Sequence, residues 1–226
     1  MRILHPDSPG WMPLPPPSCT ATQKFWLLRP GALTGGLRQL GEFRLRVLAE
    51  YAQAAPLDEA RAMRLRPGAP VWVREVLMSV DGIDGVVARS LTPLAASRST
   101  WQGMRRLRTR PLADMLYHDR TVLRSAFECR RLAPGVPFYA TARALAADAA
   151  GTRPWRDDGK VVDIREAISP RAKINARDTV DKRDALMRSA RILARRSVFW
   201  RHGEPLLVAE GFLPGFWTKA GSFCPS

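Results

Sequence analysis

The sequence predicts an α+β fold: a six-stranded antiparallel sheet with helices packed on one face. Three observations predict it. Asp81-Gly82 sits between two β-rich runs, 71–80 and 86–92, and Gly tolerates the positive φ that a tight hairpin turn needs. A second pair of runs, 197–201 and 206–213, flanks His202-Gly203-Glu204-Pro205. In Phe43-Arg44-Leu45-Arg46-Val47, apolar and charged residues alternate with the period of a half-buried strand. Hairpin links with few helices favour an antiparallel sheet over a parallel one.

In chain order, residues 1–20 are proline-rich and read as an extended N-terminal arm. Phe25-Trp26-Leu27-Leu28 begins the core. Residues 31–37 form a turn leading into a short helix, where Gly35-Gly36 lowers helix propensity and suits a close backbone approach. Strands are expected over 43–51, 71–80, 86–92, 120–131, 196–201 and 206–213. Residues 101–107 read as a short helix capped by Ser99 or Thr100, and Pro111 suits the first position of another. In 120–131, Leu123, Phe127 and Cys129 share one face, and Arg124, Glu128 and Arg130 the other. Residues 134–192 read as an insertion: helices over 139–150 and 179–196, with a charged Gly/Pro-containing stretch between them. The tail, 216–226, offers aromatics to pack on the sheet. The whole chain, 1–226, is expected to be a single domain.

Composition narrows the function. A hydrophobic content of 46% suits a soluble globular protein, and no apolar run is long enough for a membrane span. The N-terminus lacks the apolar core of a signal peptide. Cys19, Cys129 and Cys224 are unclustered, which points to free thiols in a reducing cytoplasm. Three scattered His residues suggest no metal site. The net charge of +15 invites a nucleic-acid reading. Against it, 31 of the 36 basic residues are Arg, spread along the chain in small clusters such as Arg105-Arg106 and Arg195-Arg196. No nucleic-acid-binding motif accompanies them, so they read as a solvated basic surface that attracts anions.

Two charges stand out by position. Trp72, Arg74, Val76, Met78 and Val80 share a strand face that is apolar except for Arg74. Leu206, Val208, Glu210 and Phe212 share another, apolar except for Glu210. A buried guanidinium needs an anionic partner. Arg74 and Glu210 therefore either form a buried salt bridge with each other or line one cavity and hold opposite ends of a polar ligand. Arg89, beside Val87 and Leu91, reads as a structural ion-pair partner. Cys129 reads as a small buried hydrophobe, and His118 and His202 sit in turns.

The stretches VWVREVLMSVDGIDGVVARSLTP, RTRPLADMLYHDRTVLRSAFE and ARRSVFWRHGEPLLVAEGFLP, in that order, resemble the core of the chorismate pyruvate-lyase family. The upstream FWLLRPGALTGGLRQLGEFRLRVLAEY resembles its N-terminal part. The resemblance covers most of residues 25–132 and 194–214 and rests on the order of its WxRE, ARxxxP and ExFLP pieces. It implies a six-stranded sheet enclosing ligand beneath helical flaps. It also implies conversion of chorismate to 4-hydroxybenzoate and pyruvate, the first committed step of ubiquinone biosynthesis, with no cofactor. Arg74 and Glu210 match the family's substrate-binding Arg and Glu. Leu112 matches a leucine that contacts ligand through its backbone, and Leu33 stands where the family has a flap methionine. The same fold resembles the UTRA ligand-sensing domain of bacterial transcription regulators, so a non-catalytic small-molecule sensor is the alternative. Chorismate is thus the expected partner, without nucleic acid or membrane, and the protein is expected to act as a cytoplasmic monomer.

Overall fold

The computed structural model describes residues 10–117, 119–149 and 192–221. Among these residues, seven strands form one antiparallel sheet: β1 (Phe43–Ala54), β2 (Pro70–Val80), β3 (Ile83–Pro93), β4 (Leu123–Arg124), β5 (Glu128–Arg131), β6 (Leu193–Arg201) and β7 (Glu204–Phe212). Their order is β1-β2-β3-β7-β6-β4, and β5 pairs with β6 beyond β4. Both expected hairpins close through two-residue turns. Asp81 and Gly82 have φ of 50° and 76° between the paired Val80 and Ile83. His202 and Gly203 have φ of 49° and 78° between Arg201 and Glu204. Two successive positive φ values match the right-handed twist of the flanking strands.

The seventh strand arises because the single strand expected over 120–131 is interrupted. Ser125 is the cause: its N–H donates to the Val198 carbonyl (2.8 Å), but its hydroxyl accepts from the Val198 N–H (3.0 Å). A side chain has replaced a backbone acceptor in the ladder, so the chain leaves the sheet until Glu128. Leu123 is consequently exposed and Cys129 fully buried, although they share parity.

A second irregularity bears on the site. β1 pairs Val47 with Val76 but Ala49 with Glu75, leaving Leu48 as a bulge. A one-residue slip exchanges faces. It therefore places Glu50, paired with Arg74, on the Arg74 face.

Among the described residues, six helices flank the sheet: α1 (Ala21–Leu28), α2 (Leu33–Leu40), α3 (Leu57–Ala62), α4 (Ala113–Leu116), α5 (Tyr139–Ala149) and α6 (Pro214–Gly221). Thr20 caps α1 through a reciprocal bond pair with Gln23. The expected helix over 101–107 is a 3-10 helix at Gln102–Arg106, preceded by Trp101 with no side-chain cap. Helices α1, α2 and α6 pack Trp26, Leu37 and Phe216 against Val76, Met78, Val86 and Phe212. Helices α3 and α5 pack Ala60, Ala142 and Leu145 against Val73, Val87 and Leu207 on the opposite face. The sheet is thus covered on both sides. Phe138, Ala142, Leu145 and Ala146, inside the span read as an insertion, belong to this second core.

The described part of the arm is also packed. Trp11 is buried, its indole N–H donates to Asp58 (3.0 Å), and Met12 bridges to Cys129. The charged stretch 151–177, His118, Cys224 and most of the helix expected over 179–196 lie outside the described residues. From Leu193 onward that helix is replaced by β6, whose residues pair along their whole length with β7. No helix among the described residues is long and apolar enough to cross a membrane.

Candidate active site

A pocket opens on the α1–α2 side of the sheet. Its floor comes from Arg74 and Val76 of β2, Ala88 and Ser90 of β3, Val208 and Glu210 of β7, and Arg195 and Ser197 of β6. Its cover comes from Ala32-Leu33-Thr34 at the start of α2 and from Pro111-Leu112-Ala113 at the start of α4. Tyr117 ties these two covers together, donating from its hydroxyl to the Gly31 carbonyl (2.8 Å). Burial pushes the Tyr117 hydroxyl pKa up, against the opposing pull of Arg124, which donates to it. The space not filled by protein atoms is about 580 Å³, part of it continuous with solvent.

All four residues singled out in the sequence, Leu33, Arg74, Leu112 and Glu210, line this one pocket. Strand pairing explains why. Arg74 is opposite Ser90, and Ser90 is opposite Val208. Glu210 is opposite Ala88, in the row of Val76, two residues further along. With strands about 4.8 Å apart and a rise of about 3.3 Å per residue, the Arg74 and Glu210 backbones stand roughly 12 Å apart on the same face.

They do not form a salt bridge with each other. Arg74, 1% exposed, donates from Nε to Glu50 (3.1 Å) and from Nη2 to the carbonyls of Arg108 (2.6 Å) and Arg110 (3.3 Å). Burial lowers its pKa, with Glu50 opposing that effect. Arg108 holds a positive φ of 50°, a conformation costly for a side-chain-bearing residue, in the turn whose carbonyl meets Arg74. Nε and Nη2 are thus engaged within the protein. Nη1 alone has no hydrogen-bond partner among the described residues. The N–H of Leu112 has none either.

Glu210 is paired with Arg195, whose Nε donates to Oε2 (2.5 Å). It is therefore not the isolated acid that the sequence suggested. Its Oε1 accepts no hydrogen bond among the described residues. Arg195 also donates from Nη1 to the carbonyls of Trp26 (3.0 Å) and Arg29 (3.1 Å), at the end of α1. Phe127, in the segment that leaves the ladder, stacks on its guanidinium (4.3 Å).

Arg195 and Arg196 correct the surface reading of that pair. Both are buried, one on each face of the sheet. Arg196 pairs with Glu128 (2.7 Å) and Asp58 (3.2 Å). Arg89 behaves as expected of a structural partner, meeting Glu59 (2.7 Å) and Glu75 (2.6 Å) on the face opposite the pocket. Burial opposes its charge, but those carboxylates outweigh burial and raise its pKa.

Sequence reasoning missed Glu50, Tyr117 and Arg195 as pocket-side groups. Arg195 had a signal: Leu193, Arg195, Ser197 and Phe199 alternate like a strand face, once β6 starts at Leu193. Glu50 had none, because its face depends on the bulge. Among the described residues, no group of three His, Cys, Asp or Glu side chains could hold a metal ion.

The chain's residues 12–150 match the chorismate lyase family. Two Bordetella proteins, each named "Probable chorismate pyruvate-lyase", are its relatives over nearly the whole chain. The one from Bordetella avium is 55% identical over 96% of this chain and 90% of its own length. The one from Bordetella pertussis is 54% identical over 97% and 96%. The chain belongs to the chorismate lyase family. A Pseudomonas fluorescens relative, "Probable chorismate pyruvate-lyase 1", is 33% identical over 92% of this chain and 91% of its own. Among solved structures, a GntR-family transcriptional regulator from Bacillus cereus aligns over 82% of this chain and 97% of its own. Its TM-score is 0.44 and its identity 9%.

Proposed function

We propose that this chorismate lyase family member cleaves chorismate to 4-hydroxybenzoate and pyruvate. The observation that carries the reading is a donor, Arg74 Nη1, and an acceptor, Glu210 Oε1, that have no hydrogen-bond partner among the described residues and share one apolar-walled pocket. Chorismate has a ring carboxylate and, across the ring from it, a hydroxyl. The carboxylate suits Arg74 Nη1 and the Leu112 N–H; the hydroxyl suits Glu210 Oε1. Charge-assisted bonds at both ends fix the ring between Val76, Ala88, Leu112 and Leu33.

In the reaction the C3–O ether bond breaks and the hydrogen on C4 leaves as a proton. The electron pair of that C–H bond completes the aromatic ring. The departing enolpyruvate takes a proton on its methylene carbon and becomes pyruvate. Aromatisation supplies the driving force, so the protein's part is to hold a reactive conformer, exclude water and stabilise the departing anion. Glu210, beside the carbon that loses its proton, is the proposed proton acceptor. Arg74 is the proposed anchor, and Leu33 and Leu112 are proposed contacts from the two covers. We place the product, 4-hydroxybenzoate, at the entry to ubiquinone biosynthesis, in the cytoplasm. Purified protein incubated with chorismate should release 4-hydroxybenzoate and pyruvate in equal amounts. A folded protein that binds chorismate but yields neither product would support a sensor instead.

A further inference from the structure

We propose that Arg195 is a second anion subsite in the same pocket, taking the carboxylate of the substrate's enolpyruvyl arm through Nη2. The proposal rests on reading the pocket as a chorismate site and adds a residue to it. A guanidinium has five N–H groups to satisfy. Arg195 spends three of them, on Glu210, the Trp26 carbonyl and the Arg29 carbonyl. Its side chain is 2% exposed and lines the pocket, yet Nη2 has no partner among the described residues. Nη2 keeps some accessible surface in a residue that lines the pocket, so it is open to a ligand rather than sealed inside the protein. By contrast, Arg89 engages Nε, Nη1 and Nη2 with Glu59, Glu75 and Tyr51. Arg196 also leaves Nη2 unbonded, but on the face away from the pocket.

The substrate's own geometry selects this role. With the ring carboxylate at Arg74 and the ring hydroxyl at Glu210, the enolpyruvyl arm leaves the carbon next to the hydroxyl-bearing one. It therefore emerges beside Glu210, and the group bonded to Glu210 is Arg195. The two guanidiniums each carry one protein carboxylate, Glu50 and Glu210, and each keeps one nitrogen unspent. A dicarboxylate matches that pair; a monocarboxylate fills only half of it. As the C3–O bond breaks, negative charge grows on the arm, and a fixed cation there lowers the barrier.

Calorimetric titration of 4-hydroxybenzoate and of 3-(carboxymethoxy)-4-hydroxybenzoate separates the possibilities. The wild type should bind the diacid at least about tenfold more tightly than the monoacid, the worth of one charge-assisted bond. In Arg195→Gln that advantage should vanish, while 4-hydroxybenzoate affinity stays within a few-fold. An equal advantage in both proteins, no advantage in the wild type, or parallel weakening of both ligands in the variant would each overturn the proposal. Parallel weakening is what a purely structural Arg195 would give. Failure of the wild type to bind 4-hydroxybenzoate would instead refute the chorismate reading. If Arg195→Gln does not fold, a crystal structure of the wild type with the diacid decides the matter. The arm carboxylate within hydrogen-bond reach of Arg195 Nη2 is expected; placement elsewhere overturns the assignment.

Discussion

Replacing Arg74 by Met separates the two tasks of that residue. The substitution keeps a long apolar stem and removes every donor. Two losses follow from the geometry. Inside the protein, the carbonyls of Arg108 and Arg110 lose their donor, and the strained turn before Pro111-Leu112 loses its anchor. Glu50 is 31% exposed along its side chain and turns to water, so no fully buried charge is stranded. The stability cost should therefore sit near the lower end of the 3–5 kcal/mol typical of breaking a buried pair. In the pocket, loss of Nη1 removes the cation opposite the ring carboxylate. Truncating a buried charged contact costs about 2–5 kcal/mol, or roughly 30-fold to several thousand-fold in affinity. Titration with 4-hydroxybenzoate, chorismate kinetics and a thermal melt read all three effects. The expected result is a large rise in Kd and KM in a protein that still melts cooperatively. A folded Arg74→Met protein with Kd and KM within about threefold of wild type would refute the assignment.

Three further substitutions or measurements probe the surrounding account. Glu210→Gln keeps size and an acceptor oxygen but cannot take a proton, so kcat should fall about 100-fold or more while 4-hydroxybenzoate binding survives; unchanged kcat would reduce Glu210 to a positioning role. Gly36→Ala would put a Cβ 2.8 Å from the Trp26 ring and 2.9 Å from the Arg29 guanidinium carbon. It should destabilise by about 1–3 kcal/mol and raise the chorismate KM by displacing α2; a wild-type melt and KM would show that the contact relaxes freely. Burial pushes the Cys129 thiol up from 9.0 to about 11. Its stabilising contribution is complete below pH 9 and is lost as pH rises through 11. A disulfide reagent at pH 8 should label it only on unfolding, and prompt labelling of folded protein would contradict that burial.

How much was legible in the sequence depended on what each residue's position rests upon. The period of two in residues 72–80 and 206–212 sufficed to put Arg74 and Glu210 on inward faces, and the two hairpin turns sufficed to align the faces. The identity of their partners did not follow. Glu50 reaches Arg74 only because Leu48 bulges, a backbone event with no residue signature such as Gly. Arg195 was lost among 31 arginines, in an Arg-Arg step whose members diverge to opposite faces. The break at Ser125 was hidden because a serine hydroxyl standing in for a backbone carbonyl leaves the apolar alternation intact. Helix α5 was read as part of an insertion because the family resemblance lapses after residue 132, yet Ala142, Leu145 and Ala146 complete the core behind the sheet.

The structure of this protein bound to 4-hydroxybenzoate is the most direct test of the central claim, that one pocket reads a ring from both ends. The carboxylate should lie within hydrogen-bond distance of Arg74 Nη1 and the Leu112 N–H, with the phenol oxygen at Glu210 Oε1. A ring bound in the reverse sense, or outside the pocket between α2 and α4, would contradict it.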